Sequence, residues 1–181
     1  MQLRPNHPLR RHFQALVEHA FYTEVGLCDP VLTNYVVELL VDFTHVDRLN
    51  AIRDLHGKDL DQVAATLLAL FSEEPVAGAA RDRMMYRHLG DYTLFWAGVY
   101  PEQLKRAHYL PTDVLLDYVQ RGKRSYAIVS NLASETDAPP SSLFRHLSDD
   151  FEFCLYGLGV VRREWENLDP PTGKGGPGLV Y

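Results

Sequence analysis

The sequence predicts an all-α protein, folded as an irregular bundle of six to seven helices. Apolar residues recur three and four positions apart along most of the chain, which is the spacing of a helix face. Proline and glycine residues mark helix starts and ends, and no stretch alternates apolar and polar residues long enough to indicate a sheet. We therefore expect a single helical domain over residues 1–168, followed by a flexible Pro- and Gly-rich tail over residues 169–181.

Three helices are predicted in the first part of the chain. The first, residues 8–26, begins at a proline and ends at a glycine. An Asp–Pro pair, with aspartate as the N-cap and proline at the first helical position, starts the second helix, residues 30–54. A shorter third helix, residues 59–71, follows a glycine-containing turn and is capped by an aspartate.

The second part of the chain contains the remaining predicted helices. The fourth spans residues 76–99, where Gly90 either weakens the helix or marks a close packing contact. One or two turns follow over residues 101–107, and a further helix over residues 111–133. After a Pro–Pro linker, the last helix is predicted over residues 142–168.

Composition argues against two classes of function. The net charge of −6 and the scattered basic residues do not indicate a nucleic-acid-binding protein, because even the cluster Arg121–Lys123–Arg124 is too small to follow a phosphate backbone. A serine hydrolase is not indicated either, since Ser125 lies in no Gly-x-Ser-x-Gly turn and has no histidine beside it in sequence.

The cysteine content and the N-terminus predict a cytoplasmic protein. The two cysteines, Cys28 and Cys154, form no CxxC motif, which is typical of a protein kept in a reducing compartment. The first residues lack the apolar run of a signal peptide. No stretch reaches the length of about 18 apolar residues that a membrane span requires, so no membrane span is expected.

Two segments of the sequence resemble a known group. The stretch HLGDYTLFWAGVYPEQL, residues 88–104, and the later pattern from Asp117–Tyr118 to Ser125–Tyr126 resemble a group of small bacterial helical proteins of unassigned function. The resemblance covers about a quarter of the chain. It implies a bacterial helical protein, and no activity or catalytic residue comes with it.

An acidic and histidine-containing stripe is the most distinctive feature of the second predicted helix. Glu38, Asp42 and His45 lie at positions i, i+4 and i+7 of a helix that is otherwise apolar nearly all round. Burying carboxylates is costly unless they are paired, hydrogen-bonded or bound to a metal. The stripe should therefore meet partners, and His88 and Asp91 of the fourth helix and Glu152 of the last helix are the candidates.

These six residues leave three interpretations open. They are candidate ligands of a metal site, with iron or manganese as the cofactor, because ferritin-like and haem-oxygenase-like proteins bind such metals with carboxylates and histidines from facing helices. Asp42-x-x-His45 has the spacing of the usual Glu-x-x-His pair with Asp in place of Glu, and His88-x-x-Asp91 has the reversed order, whereas the usual site has two Glu-x-x-His pairs and two further glutamates. Alternatively, the stripe is a structural network, or it lines a pocket for a small ligand.

The function that the sequence favours is binding, either of a protein partner, including a second copy of this chain, or of a small ligand. A metal-dependent oxidoreductase of the ferritin-like or haem-oxygenase-like type is the alternative. Aromatic residues surround the fourth helix, which predicts either a buried central helix or a homo-oligomer interface formed by this helix or by the last one.

Overall fold

A computed structural model describes residues 8–44, 60–71, 78–107 and 111–168. In these ranges the chain forms eight α-helices and no strand, which confirms the predicted all-α bundle. The helices are α1 (Pro8–His19), α2 (Pro30–Thr44), α3 (Leu60–Phe71), α4 (Gly78–Val99), α5 (Pro101–Ala107), α6 (Pro111–Leu132), α7 (Ser141–Asp149) and α8 (Phe151–Leu168). None of these helices is both long and apolar enough to cross a membrane. The predicted tail, residues 169–181, lies outside the described residues.

The first helix ends as its sequence predicts, but through an unusual turn. A π-helical segment, Ala20–Val25, continues α1 up to Gly26, whose φ of 78° is accessible to glycine at little cost. The wider turn places Phe21 against α8, where a side chain on Gly157 would come within 2.5 Å of the Phe21 ring. Gly157 therefore allows the two elements to pack closely.

The start of α2 follows directly from the Asp–Pro pair in the sequence. Asp29 Oδ1 accepts the backbone N–H groups of Val31 and Leu32, at 2.9 and 3.1 Å, which are the donors that a helix start leaves unsatisfied. The buried face of α2 then packs against α1, α4 and α7. The predicted extension of this helix to residue 54 falls outside the described residues after Thr44.

Helix α4 is the centre of the bundle. Every residue from Leu89 to Tyr100 is buried, and the helix packs against α3, α6 and α8. The aromatic residues of this stretch, Tyr92, Phe95, Trp96 and Tyr100, are therefore core residues. Gly90 marks a close contact, because a side chain there would meet the Tyr126 ring of α6 at 2.7 Å.

The last predicted helix is in fact two helices. The chain turns at Asp150, whose φ of −99° and ψ of 22° are not helical and whose N–H donates to the carbonyl of His146 at 2.8 Å. Helix α8 restarts at Phe151, which is fully buried and whose ring lies against Gly122 of α6. The spacing of apolar residues continues through Asp150 and so does not predict this break. The position of the Phe151 ring in the core depends on tertiary packing, which helical periodicity does not describe.

Candidate functional site

Asp91 is the most deeply buried carboxylate in the described part of the chain, with 8% of the residue exposed. The hydroxyls of Tyr35 (α2) and Tyr126 (α6) both donate to Asp91 Oδ1, at 2.7 and 2.8 Å. Arg87, one turn earlier on α4, donates from Nε to the Tyr35 hydroxyl at 3.0 Å, and the same Nε lies 3.9 Å from Asp91 Oδ2. We call these four residues the Asp91 centre, which joins α2, α4 and α6.

Burial and charge act in opposite directions on the Asp91 centre. Burial raises the pKa of Asp91, and the Arg87 charge and the two tyrosine hydrogen bonds lower it, with a net rise from the ordinary value of 3.8. The pKa of Tyr35 and that of Tyr126 are also raised, first by burial and then by the neighbouring carboxylate. Both tyrosines therefore remain protonated hydrogen-bond donors at neutral pH.

Four of the six candidate residues lie around one small cavity between α2 and α4. Glu38, Asp42, His88 and Asp91 line this space of about 50 Å³ together with Arg87. Glu38 is already paired, since it accepts a hydrogen bond from Arg10 Nε of α1 at 2.6 Å. The negative charge of Asp42 raises the pKa of Asp91, so the two carboxylates are close enough to repel each other.

The other two candidate residues do not lie at this cavity in the described structure. Glu152 is an exposed residue at the start of α8, where Lys123 Nζ of α6 donates to both of its carboxylate oxygens at 2.9 and 3.0 Å. That pairing lowers the pKa of Glu152. His45 falls outside the described residues. Within the described ranges, no three histidine, cysteine, aspartate or glutamate side chains are grouped so that they could hold a metal ion.

The partners of Asp91 were missed at the sequence level, although two signals pointed to them. Arg87 precedes Asp91 by four positions, which is the spacing of a helical ion pair. Tyr35 lies three positions before Glu38 on the same helix, and a buried tyrosine hydroxyl needs a partner. No local signal points to Tyr126, because its contact with Asp91 depends on the packing of α6 against α4.

A larger cavity, of about 290 Å³, lies between α3, α4 and α6. We call it the Arg124 cavity. Its polar lining consists of Tyr86, Arg121, Arg124 and Ser125, and Ala64 and Leu89 are among its apolar residues. The described lining includes no aspartate or glutamate.

Ser125 differs from the other buried or half-buried serine and threonine residues of the described helices. The residue is only 2% exposed, and its hydroxyl has no hydrogen-bond partner among the described residues. Each of the others donates its hydroxyl to a carbonyl or a carboxylate, as is usual for such residues in helices. They are Thr33, Thr66, Thr93, Ser130, Ser141, Ser142 and Ser148. The Ser125 hydroxyl is therefore able to form a hydrogen bond with a molecule in the Arg124 cavity.

The basic cluster of α6 is divided between two surroundings. Lys123 is paired with Glu152 of α8, whereas Arg121 and Arg124 line the Arg124 cavity. Arg124 forms no ion pair with any residue that the structure describes. Its charge is therefore available to a ligand in the cavity.

A third, wider cavity, of about 600 Å³, lies beside the start of α2 and includes the exposed Cys28. Its main polar groups already have structural roles. Asp29 caps α2 through one carboxylate oxygen, and its other oxygen lies 3.0 Å from His146 Nδ1. Asp29 and His146 are therefore already paired with each other in this cavity.

Comparison of the chain with family models, with curated proteins and with solved structures found no match in any of the three.

Proposed function

We propose that this protein binds a small molecule in the Arg124 cavity. The observation that carries the proposal is Ser125, a cavity-lining residue that is 2% exposed and whose hydroxyl has no hydrogen-bond partner among the described residues. A hydroxyl that lines a cavity and has no protein partner can form a hydrogen bond with a ligand, and a typical hydrogen bond contributes about 0.5–1.5 kcal/mol.

The size and the lining of the cavity support a small ligand. Its volume of about 290 Å³ is at the lower end of ligand pockets. A buried apolar cavity of about 150 Å³ accommodates benzene, so this one has room for a single ring with a polar substituent. Leu89, Met85 and Ile128 supply apolar contacts, and Ser125 and the two arginines supply the polar ones.

The proposal is tested by filling the cavity. Phenylacetate and its neutral analogue phenylacetamide serve as probes, and saturation-transfer NMR detects ligands of this size even when Kd is about 1 mM. Ala64→Leu adds bulk at the cavity wall and should abolish the binding of both probes. Ala65→Leu, at the exposed neighbouring position on α3, is the matched control and should leave binding intact. The proposal fails if neither probe binds saturably, or if the two variants behave alike.

A metal-dependent oxidoreductase is a second proposal. In its favour, Glu38, Asp42, His88 and Asp91 line one cavity. Against it, Asp91 Oδ1 already accepts two hydrogen bonds and Glu38 is paired with Arg10. Iron and manganese analysis of untagged protein tests it: about two ions per chain, lost in a His88→Ala variant, would favour the oxidoreductase, whereas substoichiometric metal would exclude it.

Self-association is a further form of binding that we propose, through α8. Phe153 and Tyr156 are three positions apart on this helix, and 57% and 54% of these residues are exposed. Light scattering tests the proposal, since a dimer in the wild type should become a monomer in a Phe153→Ser variant. A monomeric wild type would refute it.

We also propose a cytoplasmic location. Its support is that neither Cys28 nor Cys154 forms a disulfide, as expected where thiols are kept reduced. Localisation of a tagged chain by fractionation tests this proposal, and recovery outside the cytoplasmic fraction would contradict it.

A further inference from the structure

We infer that the ligand of the Arg124 cavity is an organic oxyanion, a small acid whose carboxylate or phosphate lies at the arginine end and whose ring or branched body lies against the apolar wall. This inference rests on the function proposed above, because it names the class of ligand for the same cavity.

The charge of the lining carries the first step. The whole chain has a net charge of −6, yet the charged side chains among the described lining residues of this cavity are Arg121 and Arg124. Arg124 forms no ion pair with a described residue. An arginine side chain that forms no ion pair attracts anions and disfavours cations.

The shape of guanidinium groups carries the second step. A guanidinium presents planar, paired N–H donors that match the two oxygens of a carboxylate or the oxygens of a phosphate. Arg124 is one helical turn after Arg121 on α6, and it forms no ion pair with a described residue. Ser125 follows directly in sequence, and its hydroxyl supplies a further donor to the cavity.

The arrangement of the remaining lining gives the ligand a direction. Met85 and Leu89 come from α4, Ile128 from one turn further along α6, and Ala64 from α3. These side chains offer apolar contacts and no charge. Tyr86 lies beside them and provides an aromatic face for a ring of the ligand. An acid with an apolar body satisfies both ends, whereas a purely inorganic anion leaves the apolar wall unused.

The inference is tested by comparing charged and neutral probes of equal size on the folded full-length chain. Phenylacetate should bind at least tenfold more tightly than phenylacetamide, because one hydrogen bond to a charged group accounts for about that factor. Raising the ionic strength should weaken the binding of phenylacetate and leave that of phenylacetamide unchanged. Phenyl phosphate is included as a third probe. If it binds more tightly than phenylacetate, the cavity prefers a phosphate group, and if it binds more weakly, the cavity prefers a carboxylate.

Substitution of Arg124 provides the residue-level test. Arg124 is an exposed lining residue of the cavity, so Arg124→Gln is expected to fold. It should weaken phenylacetate binding about tenfold and leave phenylacetamide binding unchanged. The matched control is Arg145→Gln, which removes an exposed arginine of α7 that does not line the cavity and should change neither affinity.

The outcomes separate the ligand class from the proposed function. If both probes bind equally, remain unaffected by Arg124→Gln and are both lost in Ala64→Leu, the cavity binds small molecules but the oxyanion class is wrong. If no probe binds in a saturable way that Ala64→Leu abolishes, both the ligand class and the proposed function are wrong. A preference for an anion that depends on Arg124 supports both.

Discussion

The Asp91 centre and the Arg124 cavity lie on different faces of the same two helices, α4 and α6. They differ in whether their polar side chains have partners within the protein. In the Asp91 centre, the buried carboxylate has two tyrosine donors and a nearby arginine. In the Arg124 cavity, a buried serine and an arginine have no such partners among the described residues. A polar group that the fold already satisfies contributes to stability, and one that the fold leaves unsatisfied is free to contribute to binding.

The comparison predicts that loss of the Asp91 carboxylate has the largest effect on stability. Asp91→Ala leaves the hydroxyls of Tyr35 and Tyr126 without their acceptor and Arg87 without its nearby countercharge. We expect the free energy of unfolding, measured by urea denaturation, to fall by about 2–5 kcal/mol. Asp117→Ala, at an exposed position of α6, is the control and should change it by less than about 0.5 kcal/mol. Equal effects of the two variants would show that the Asp91 centre is not a structural centre.

The Asp91 centre should also make stability depend on pH. Because the pKa of Asp91 is raised in the folded protein above its ordinary value of 3.8, folding favours the protonated form. This stabilising contribution is fully present below pH 3.8 and is lost as the pH rises through the raised pKa.

The Asp91→Asn variant isolates this titration, since it keeps a similar shape and an oxygen acceptor but has no proton to lose. Urea denaturation of both proteins across acidic to neutral pH should show the wild type losing stability relative to Asp91→Asn as the pH rises. A relative gain in wild-type stability would mean that Arg87 and the tyrosines outweigh the effect of burial.

Removal of one tyrosine donor should have an intermediate effect. Tyr126→Phe deletes one of the two hydrogen bonds to Asp91 Oδ1 and leaves the Tyr35 bond in place. We expect the free energy of unfolding to fall by about 1–2 kcal/mol. Tyr156→Phe removes an exposed hydroxyl from α8 and serves as the control, with an expected change near zero. A Tyr126→Phe variant as stable as this control would show that Asp91 needs only Tyr35.

The smallest effect on stability is expected in the Arg124 cavity. Ser125→Ala removes a hydroxyl that has no partner in the described structure, so the free energy of unfolding should change by less than about 0.5 kcal/mol. By contrast, Ser148→Ala breaks the 2.9 Å hydrogen bond from α7 to the Lys123 carbonyl of α6 and should cost about 1 kcal/mol. Ser125→Ala should nevertheless weaken the binding of phenylacetate. A loss of stability as large as that of Ser148→Ala would contradict the distinction between the two regions.

Much of the fold could be predicted from local signals in the sequence. The Asp29–Pro30 start of α2 and the glycine end of the first helical segment follow from backbone chemistry that operates within a few residues. The break between α7 and α8 could not be predicted, because helical periodicity continues through Asp150. It arises from the burial of Phe151 beside Gly122, a contact between residues distant in sequence.

The candidate site residues likewise include some that the sequence could predict and some that it could not. The sequence by itself determined that Glu38, Asp42 and Asp91 lie on largely apolar helix faces and would need partners, because helical spacing alone places them there. Only the tertiary structure decided that Tyr126 meets Asp91, that Glu152 pairs instead with Lys123, and that Ser125 and Arg124 line a cavity. The physical reason is that helix periodicity assigns a residue to a face, while the packing of one helix on another decides what that face meets.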